Sequence, residues 1–300
     1  MPELPDVELY VTRLRERLVG ARLLKASFYS PFVLRSFAVK PSEVEGLAVT
    51  GVSRLGKRIV LELEDEHFIV IHLMIAGRLQ WQSPLPEQKK ALGKMLLASF
   101  RFEEGQLGLF EISSKKRASI HLVRGREGLT EHRRAGIDVF GASSDQIKER
   151  LLAQNRTLKR ALTDPNAFDG IGNAYSDEIL FWARLSPVRR TGSLTDEEIE
   201  RLHGAAKDTL RDWKAKLEEK YPGFPKPTEI TAFRPEFATH GKYNQPCPVC
   251  GQPIQRIVYA ENETNYCAKC QNEGRLLADR SLSRLLKDDW PKTLEEMIGA

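Results

Sequence analysis

Two groups of residues in this sequence are placed to do chemistry. The first is the opening, Met1-Pro-Glu-Leu-Pro-Asp-Val-Glu8. A proline at position 2 permits removal of the initiator methionine, which would leave Pro2 with a free secondary amine. An α-amino group titrates near 7.7–8.0 against about 10.4 for lysine, so about a tenth of it is uncharged at neutral pH. An uncharged amine attacks an electrophilic carbon and forms an iminium. Glu3, beside it, carries the carboxyl that a general acid needs. The competing reading is that Pro2 is only a residue compatible with processing.

The second group is Cys247-x2-Cys250 and Cys267-x2-Cys270, which holds all four cysteines of the chain. Two such knuckles bring four thiolates onto one Zn²⁺ at about 2.3 Å, and the spacer is long enough for a β-hairpin. A pair of disulfides is the alternative, disfavoured in a reducing cytosol. With every ligand supplied by the protein, no position remains for a catalytic water, so one structural Zn²⁺ is expected.

A third pattern positions rather than reacts. Leu158 to Glu178 reads as helix, turn and helix, with Gly170 and Gly172 just before Asn173. Two glycines ahead of a helix N-terminus let a phosphate approach the backbone and meet its N–H groups. A plain helical hairpin with glycine turns has the same pattern.

These residues need a scaffold. Three hundred residues favour two domains over one core. The apolar content of 41% and charged content of 29% fit an ordinary globular protein. The net charge is +5 and the pI about 8.9, which favours a polyanionic partner without establishing one. Runs such as Phe68 to Ile71 are far shorter than the roughly 20 residues of a membrane span, and the acidic opening is no secretory signal. A cytoplasmic protein with no membrane partner is expected.

Residues 5–19 predict an amphipathic helix with Val7, Val11, Leu14 and Leu18 on one face. A β-rich stretch follows to about residue 124, with hairpins from 58–63 and 68–73 and from 95–102 and 107–112. Their continuous apolar runs imply strands buried on both faces, as in a sandwich. Gly125 to Ser144 reads as a linker. Helices are predicted at 145–154, 156–163, 173–184 and 195–219, the last opening on the capping-box pattern Thr195-Asp-Glu-Glu198. Residues 221–246, with five prolines, predict a long loop, and Ala278–Asp288 a short helix with Leu282, Leu285 and Leu286 on one side.

The opening, the Gly-Ile-Gly-Asn turn and the terminal four-cysteine hairpin, in this order, resemble the Fpg/Nei family of formamidopyrimidine-DNA glycosylases and endonuclease VIII over about residues 1–272. The resemblance implies an α+β multidomain fold. An N-terminal β-sandwich with a leading helix (1–130) would carry the catalytic residues. A helical domain with a helix-two-turn-helix motif (145–235), a β-hairpin zinc finger (236–273) and a C-terminal extension (274–300) would follow. It implies a bifunctional DNA glycosylase and abasic-site lyase of base excision repair, a monomer acting on damaged double-stranded DNA. Pro2 would attack C1′ of the deoxyribose, with Glu3, Asp6 and Lys57 in the catalytic group. Lys57, His72, Lys116, Arg117, Asn173 and Asn262 would meet the DNA.

Several positions depart from the family's pattern. Asp6 stands where the family has glutamate. Asn262 falls near the zinc-hairpin arginine and cannot offer its charged fork, which leaves Arg256 as a substitute or a solvated strand residue. Ile75 aligns with the family's inserted methionine, with Met74 one place earlier. Lys116 or Arg117 lies near the inserted arginine, and Ala118 stands where the inserted aromatic belongs, although Lys115–Arg117 also reads as a solvated charge run. The segment after the zinc motif, Arg275–Lys287 included, would pack on the helical domain or bind DNA. These departures leave two rivals to a standard glycosylase: a non-catalytic binder of damaged DNA, and a glycosylase for bulky or crosslinked lesions.

Overall fold

The computed structural model describes residues 1–83, 95–259, 262–278, 284–287 and 290–298. The chain forms two compact units, residues 1–134 with 213–231, and residues 135–212 with 232–300.

The first unit opens on α1 (Leu4–Leu18), with Pro5 in its first turn and Val7, Val11, Leu14 and Leu18 buried. Eight strands follow: β1 (Lys25–Phe28), β2 (Val49–Leu55), β3 (Arg58–Leu63), β4 (His67–His72), β5 (Gly77–Gln82), β6 (Leu96–Arg101), β7 (Gln106–Glu111) and β8 (Ser119–Arg124), with a short helix α2 (Pro41–Val44) between β1 and β2. They make two antiparallel sheets, ordered β2-β3-β4-β8 and β1-β6-β7-β5. The first predicted hairpin is in register from Arg58↔His72 to Leu63↔His67. Ile59, Leu61, Ile69 and Ile71 of one sheet share a core with Leu79, Ala98, Phe100 and Leu109 of the other, as expected of a sandwich. Each leucine, isoleucine or phenylalanine among them is worth about 1.5–3 kcal/mol when fully buried.

The intervening residues Val60, Phe68 and Val70 face the other way and form a second cluster with Val123. That cluster corrects the linker reading. Gly125–Thr130 is a helix, α3, whose Leu129 packs against this cluster. Leu129, together with Leu55, covers that outer cluster, and the polar remainder of the helix disguised it. Farther along the same segment, Ile137 bridges Phe168 and the Val139 carbonyl lies 2.9 Å from His203 Nε2.

The second unit contains α4 (Ser144–Leu152), α5 (Leu158–Thr163), α6 (Asn173–Trp182) and the first part of α7 (Asp196–Lys220), then β9 (Gln255–Tyr259), β10 (Asn262–Tyr266), α8 (Ala268–Asn272) and α9 (Leu294–Ile298). The predicted capping box is present: Glu198 N–H donates to Thr195 Oγ1 at 3.3 Å and Thr195 N–H to Glu198 Oε2 at 3.0 Å. β9 and β10 pair from Gln255↔Tyr266 to Tyr259↔Asn262.

The C-terminal segment packs on the zinc finger rather than on the helices expected to receive it. Leu276, Leu277 and Leu294 gather on Tyr266, Ala268 and Ile257. Leu277 N–H donates to the Tyr266 hydroxyl at 2.7 Å, and Leu276 N–H to the Lys292 carbonyl at 2.8 Å. The helix expected over 278–288 falls largely outside the described residues; within them Leu285 and Leu286 are exposed. No helix among the described residues is long and apolar enough to cross a membrane.

Candidate functional site

In the first unit the chain terminus is the centre of a charged group. Pro2, Glu3 and Asp6 are all buried. Glu3 is the N-cap of α1, and its N–H donates to Asp6 Oδ2 at 2.9 Å. Asp6 therefore holds the helix start and the backbone of Glu3, which a carboxylate in a first turn does well because it also meets the positive end of the helix dipole. Burial lowers the pKa of the Met1 ammonium below its ordinary 8.0; Glu3 and Asp6 oppose this, while Arg78 and Lys57 reinforce it. The predicted members Pro2, Glu3, Asp6 and Lys57 thus come together.

Lys57 occupies the two-residue turn between β2 and β3. Gly56 before it has φ 63°, the positive value that the first turn position demands and glycine supplies. Arg78 is the member that sequence reasoning missed. Its Nε donates to the Ile230 carbonyl at 2.7 Å and its guanidinium to Gly77 O at 2.7 Å. A lone arginine at the start of a strand carries no signal of this role.

His72 closes β4 opposite Arg58 and Ser119. Burial, followed by the charges of Arg58, Lys57, Arg134 and His121, pushes its pKa down to about 4. At neutral pH it is an uncharged imidazole among cations, able to donate one hydrogen bond but not to add charge. After β4, Leu73–Gly77 makes a tight turn closed by Gly77 N–H to Leu73 O at 2.9 Å, with Met74 at φ 52° and Ile75 exposed.

The loop from β7 to β8 carries Lys115, Lys116 and Arg117. It is held by Glu111, a buried residue that sequence reasoning also missed. The Glu111 carboxylate accepts the backbone N–H groups of Arg117 and Ala118 at 2.7 and 3.1 Å, and its carbonyl accepts Lys116 Nζ. Ala118 itself is buried, so it presents no apolar surface.

In the second unit, Gly172 caps α6 and Asn173 is the first helical residue. The Asn173 side-chain amide donates to the Glu263 carbonyl of β10 at 3.0 Å, and its own carbonyl accepts Lys159 Nζ at 2.6 Å. One turn on, the buried Asp177 accepts Lys159 Nζ at 2.5 Å and the Asn265 N–H at 3.1 Å, and pairs with His240 Nδ1 at 2.7 Å. Glu178 accepts the N–H groups of Ala238, Thr239 and His240 at 2.8, 2.9 and 2.9 Å. The predicted long loop is therefore tied to α6 by two adjacent carboxylates, to which sequence reasoning gave no role. Arg256 stacks 4.2 Å from the centre of the Tyr243 ring and approaches Glu263 at 3.8 Å. Asn262 is exposed at the start of β10.

The four cysteine sulfurs lie within 4.8 Å of one another, with Cys250 to Cys267 at 3.4 Å and Cys247 to Cys270 at 3.9 Å. These are too long for disulfides, while a tetrahedron at the usual Zn–S length has edges of about 3.8 Å. The residues fit one structural Zn²⁺. Cys270 N–H donates to Cys267 Sγ at 3.4 Å, an orienting contact of the kind that metal thiolates accept.

Comparison with known proteins agrees with this geometry. Residues 1–115 match the model of the formamidopyrimidine-DNA glycosylase N-terminal domain, 140–216 that of the formamidopyrimidine-DNA glycosylase H2TH domain, and 244–272 the zinc finger found in FPG and IleRS. Formamidopyrimidine-DNA glycosylase of Thermus thermophilus is 32% identical over 288 residues, covering 91% of this chain and 100% of that protein. The enzyme of that name from Symbiobacterium thermophilum is 29% identical over 306 residues, covering 93% of each. A crystal structure of the Lactococcus lactis enzyme bound non-covalently to DNA with an abasic site superposes with a TM-score of 0.76 at 25% identity, covering 90% of this chain and 99% of that one. With a relative matched over its whole length, and each motif inside the segment that its model covers, the chain belongs to the formamidopyrimidine-DNA glycosylase family.

Proposed function

We propose that this protein is a DNA glycosylase of base excision repair that also cleaves abasic sites, with the amine of Pro2 as nucleophile once Met1 is removed. The observation that carries the reading is Pro2 buried at the chain start beside the buried carboxylates of Glu3 and Asp6, where burial also lowers the pKa of the Met1 ammonium that precedes it. An environment that disfavours a charged amine raises the uncharged fraction at neutral pH, which is the form that attacks.

In this reading the Pro2 nitrogen bonds to C1′ as the damaged base leaves with the glycosidic electron pair. Glu3 protonates the ring oxygen, the C1′–O bond opens, and an iminium forms. Loss of a C2′ proton then drives β-elimination across C2′–C3′ and releases the 3′ phosphate; a second elimination releases the 5′ phosphate, and water hydrolyses the imine. Lys57 steadies a flanking phosphate, and Asp6 positions Glu3. His72, Lys116, Arg117, Asn173 and Asn262 are assigned to DNA contact. Residues 1–130 would form the catalytic domain, 145–235 the DNA-binding domain and 236–273 the zinc finger, in a monomer on damaged duplex DNA. The Lactococcus lactis relative, captured on abasic-site DNA, supports that substrate class.

Borohydride trapping on an abasic duplex tests this directly. Protein whose mass shows loss of Met1 should form a covalent adduct, and protein that retains Met1 should not. Trapping that is equal in the two forms would refute the role of Pro2.

A further inference from the structure

Three of the chain's six histidines gather on one surface of the first unit. Side chains alternate along a strand, so Arg58, His72 and His121 share the outer face on which Val60, Val70 and Val123 cluster. His72 pairs with Arg58 on one side and Ser119 on the other, and His121 stands opposite Val70. The chain leaving α3 lies over them. The His132 ring is 4.5 Å from the His121 ring, centre to centre, and Arg58 Nη1 donates to the His132 carbonyl at 3.0 Å. From the segment alongside β8, Arg35 N–H donates to Ile120 O at 2.9 Å, which sets Arg35 beside His121.

Packing alone does not account for this pair. Both rings are half-buried, and among the described residues no protein group hydrogen-bonds either imidazole. Burial, then His132, Arg58 and Arg35, push the His121 pKa down to about 4. Burial and Arg58 lower that of His132, and Glu131 opposes them. The neighbouring His72 feels Arg58, Lys57 and Arg134. Glu131 is thus the one carboxylate that acts on either ring of the pair. Two uncharged rings sit in a positive field that keeps protons off them. An anion reverses that balance, because an opposite charge within about 4–6 Å favours the imidazolium, whose two N–H groups both donate.

We infer that His121 and His132, with Arg35 and Arg58, form a proton-linked site for a phosphate of the DNA backbone. The occupant follows from continuity: Arg58 stands opposite His72 and next to Lys57, both assigned above to DNA contact. To that extent the inference rests on the proposed function. A bound phosphate holds a proton on the pair, and by reciprocity a proton on the pair strengthens the hold on phosphate. The free pair is uncharged at neutral pH and the complex takes up the proton. Affinity therefore rises as the pH falls, by at most about ten-fold per pH unit for each proton taken up.

Titration calorimetry of the full chain with a duplex carrying a tetrahydrofuran abasic analogue tests the assignment. Repeating it in two buffers of different ionisation enthalpy counts the protons taken up. Near pH 6 the wild type should take up about one proton on binding. His121→Gln/His132→Gln, whose amides do not titrate, should lose that uptake and bind about three-fold to ten-fold more weakly at that pH. At about pH 8 the two proteins should bind alike, since the pair is then uncharged in both states. His72→Gln should still take up a proton. His132→Gln alone leaves β8 untouched and should remove part of the uptake, which keeps the test decisive if the double variant does not fold. Equal uptake in wild type and double variant, or none in either, would overturn the inference and leave the proposed function intact. The same uptake on titration with micromolar inorganic phosphate alone would assign the site to a free anion and overturn the DNA reading. Failure of the wild type to bind the duplex would overturn both.

Discussion

Glu178→Gln isolates what one buried carboxylate does for the second unit. In the native protein Oε1 accepts the N–H groups of Thr239 and His240, and Oε2 accepts that of Ala238. A glutamine has one accepting oxygen. Placed at the Oε1 position, it keeps two bonds without their charge and turns an NH₂ toward the Ala238 N–H. An orphaned buried donor costs about 1–3 kcal/mol, and loss of charge assistance about 1 kcal/mol for each remaining bond. Against this stands relief from burying a charge, a cost visible in the raised pKa of Glu178, for which burial is the leading cause. The net loss should be about 2 kcal/mol, which is roughly 30-fold in the local opening equilibrium. Hydrogen exchange read by mass spectrometry over residues 237–243 should therefore be about 30-fold faster, with β3 and β4 unchanged. Exchange within three-fold of wild type over that peptide would refute the idea that Glu178 organises the loop.

Other outcomes follow from the same structure. Chelation should release one Zn²⁺ per chain, measured with a chromogenic indicator, and should expose the β9–β10 hairpin to protease. Glu111→Gln should leave a donor facing the Arg117 and Ala118 N–H groups, disorder the 113–117 loop and weaken duplex binding by about 1–3 kcal/mol in a salt titration. Gly77→Ala should unfold or severely destabilise the first unit, because a Cβ there would lie 2.3 Å from the Leu73 carbonyl oxygen; a melting temperature within 2 °C or so of wild type would contradict this. His72 titrates at about 4 when folded and near 6.5 when unfolded, so between those values the unfolded chain binds the extra proton. Its contribution is complete above about pH 6.5 and fades as the pH falls toward 4; His72→Gln should flatten that part of the stability profile, measured by denaturant titration.

The parts of this fold that were legible in the sequence are those in which the local pattern and the tertiary environment agree. The β3–β4 hairpin announced itself because both strands are apolar on both faces and the turn between them is acidic. The zinc hairpin was plain because metal spacing is covalent information. What escaped was settled by distant partners. Leu129 is one apolar residue in a polar stretch, and only the apolar outer face of β3 and β4 makes it structural. Asp177 and Glu178 look like ordinary helix carboxylates until the loop at 238–240 and the Asn265 N–H arrive on them. Of the terminal site, Pro2, Glu3, Asp6 and Lys57 could be named from motifs. Arg78 could not, since its place near the terminus depends on how β5 sits against α1.

The zinc finger is gripped from two directions. On one side Phe181 of α6 packs with Cys247 and Cys267, and on the other Leu276, Leu277 and Leu294 lie against Tyr266 and Ala268, the residues flanking Cys267. The tail thus has its foothold on the very turn whose shape the ion dictates. Starving the protein of metal would loosen the chain end as well as the hairpin, so intact C-terminal peptides after brief digestion would serve as a gauge of metal loading.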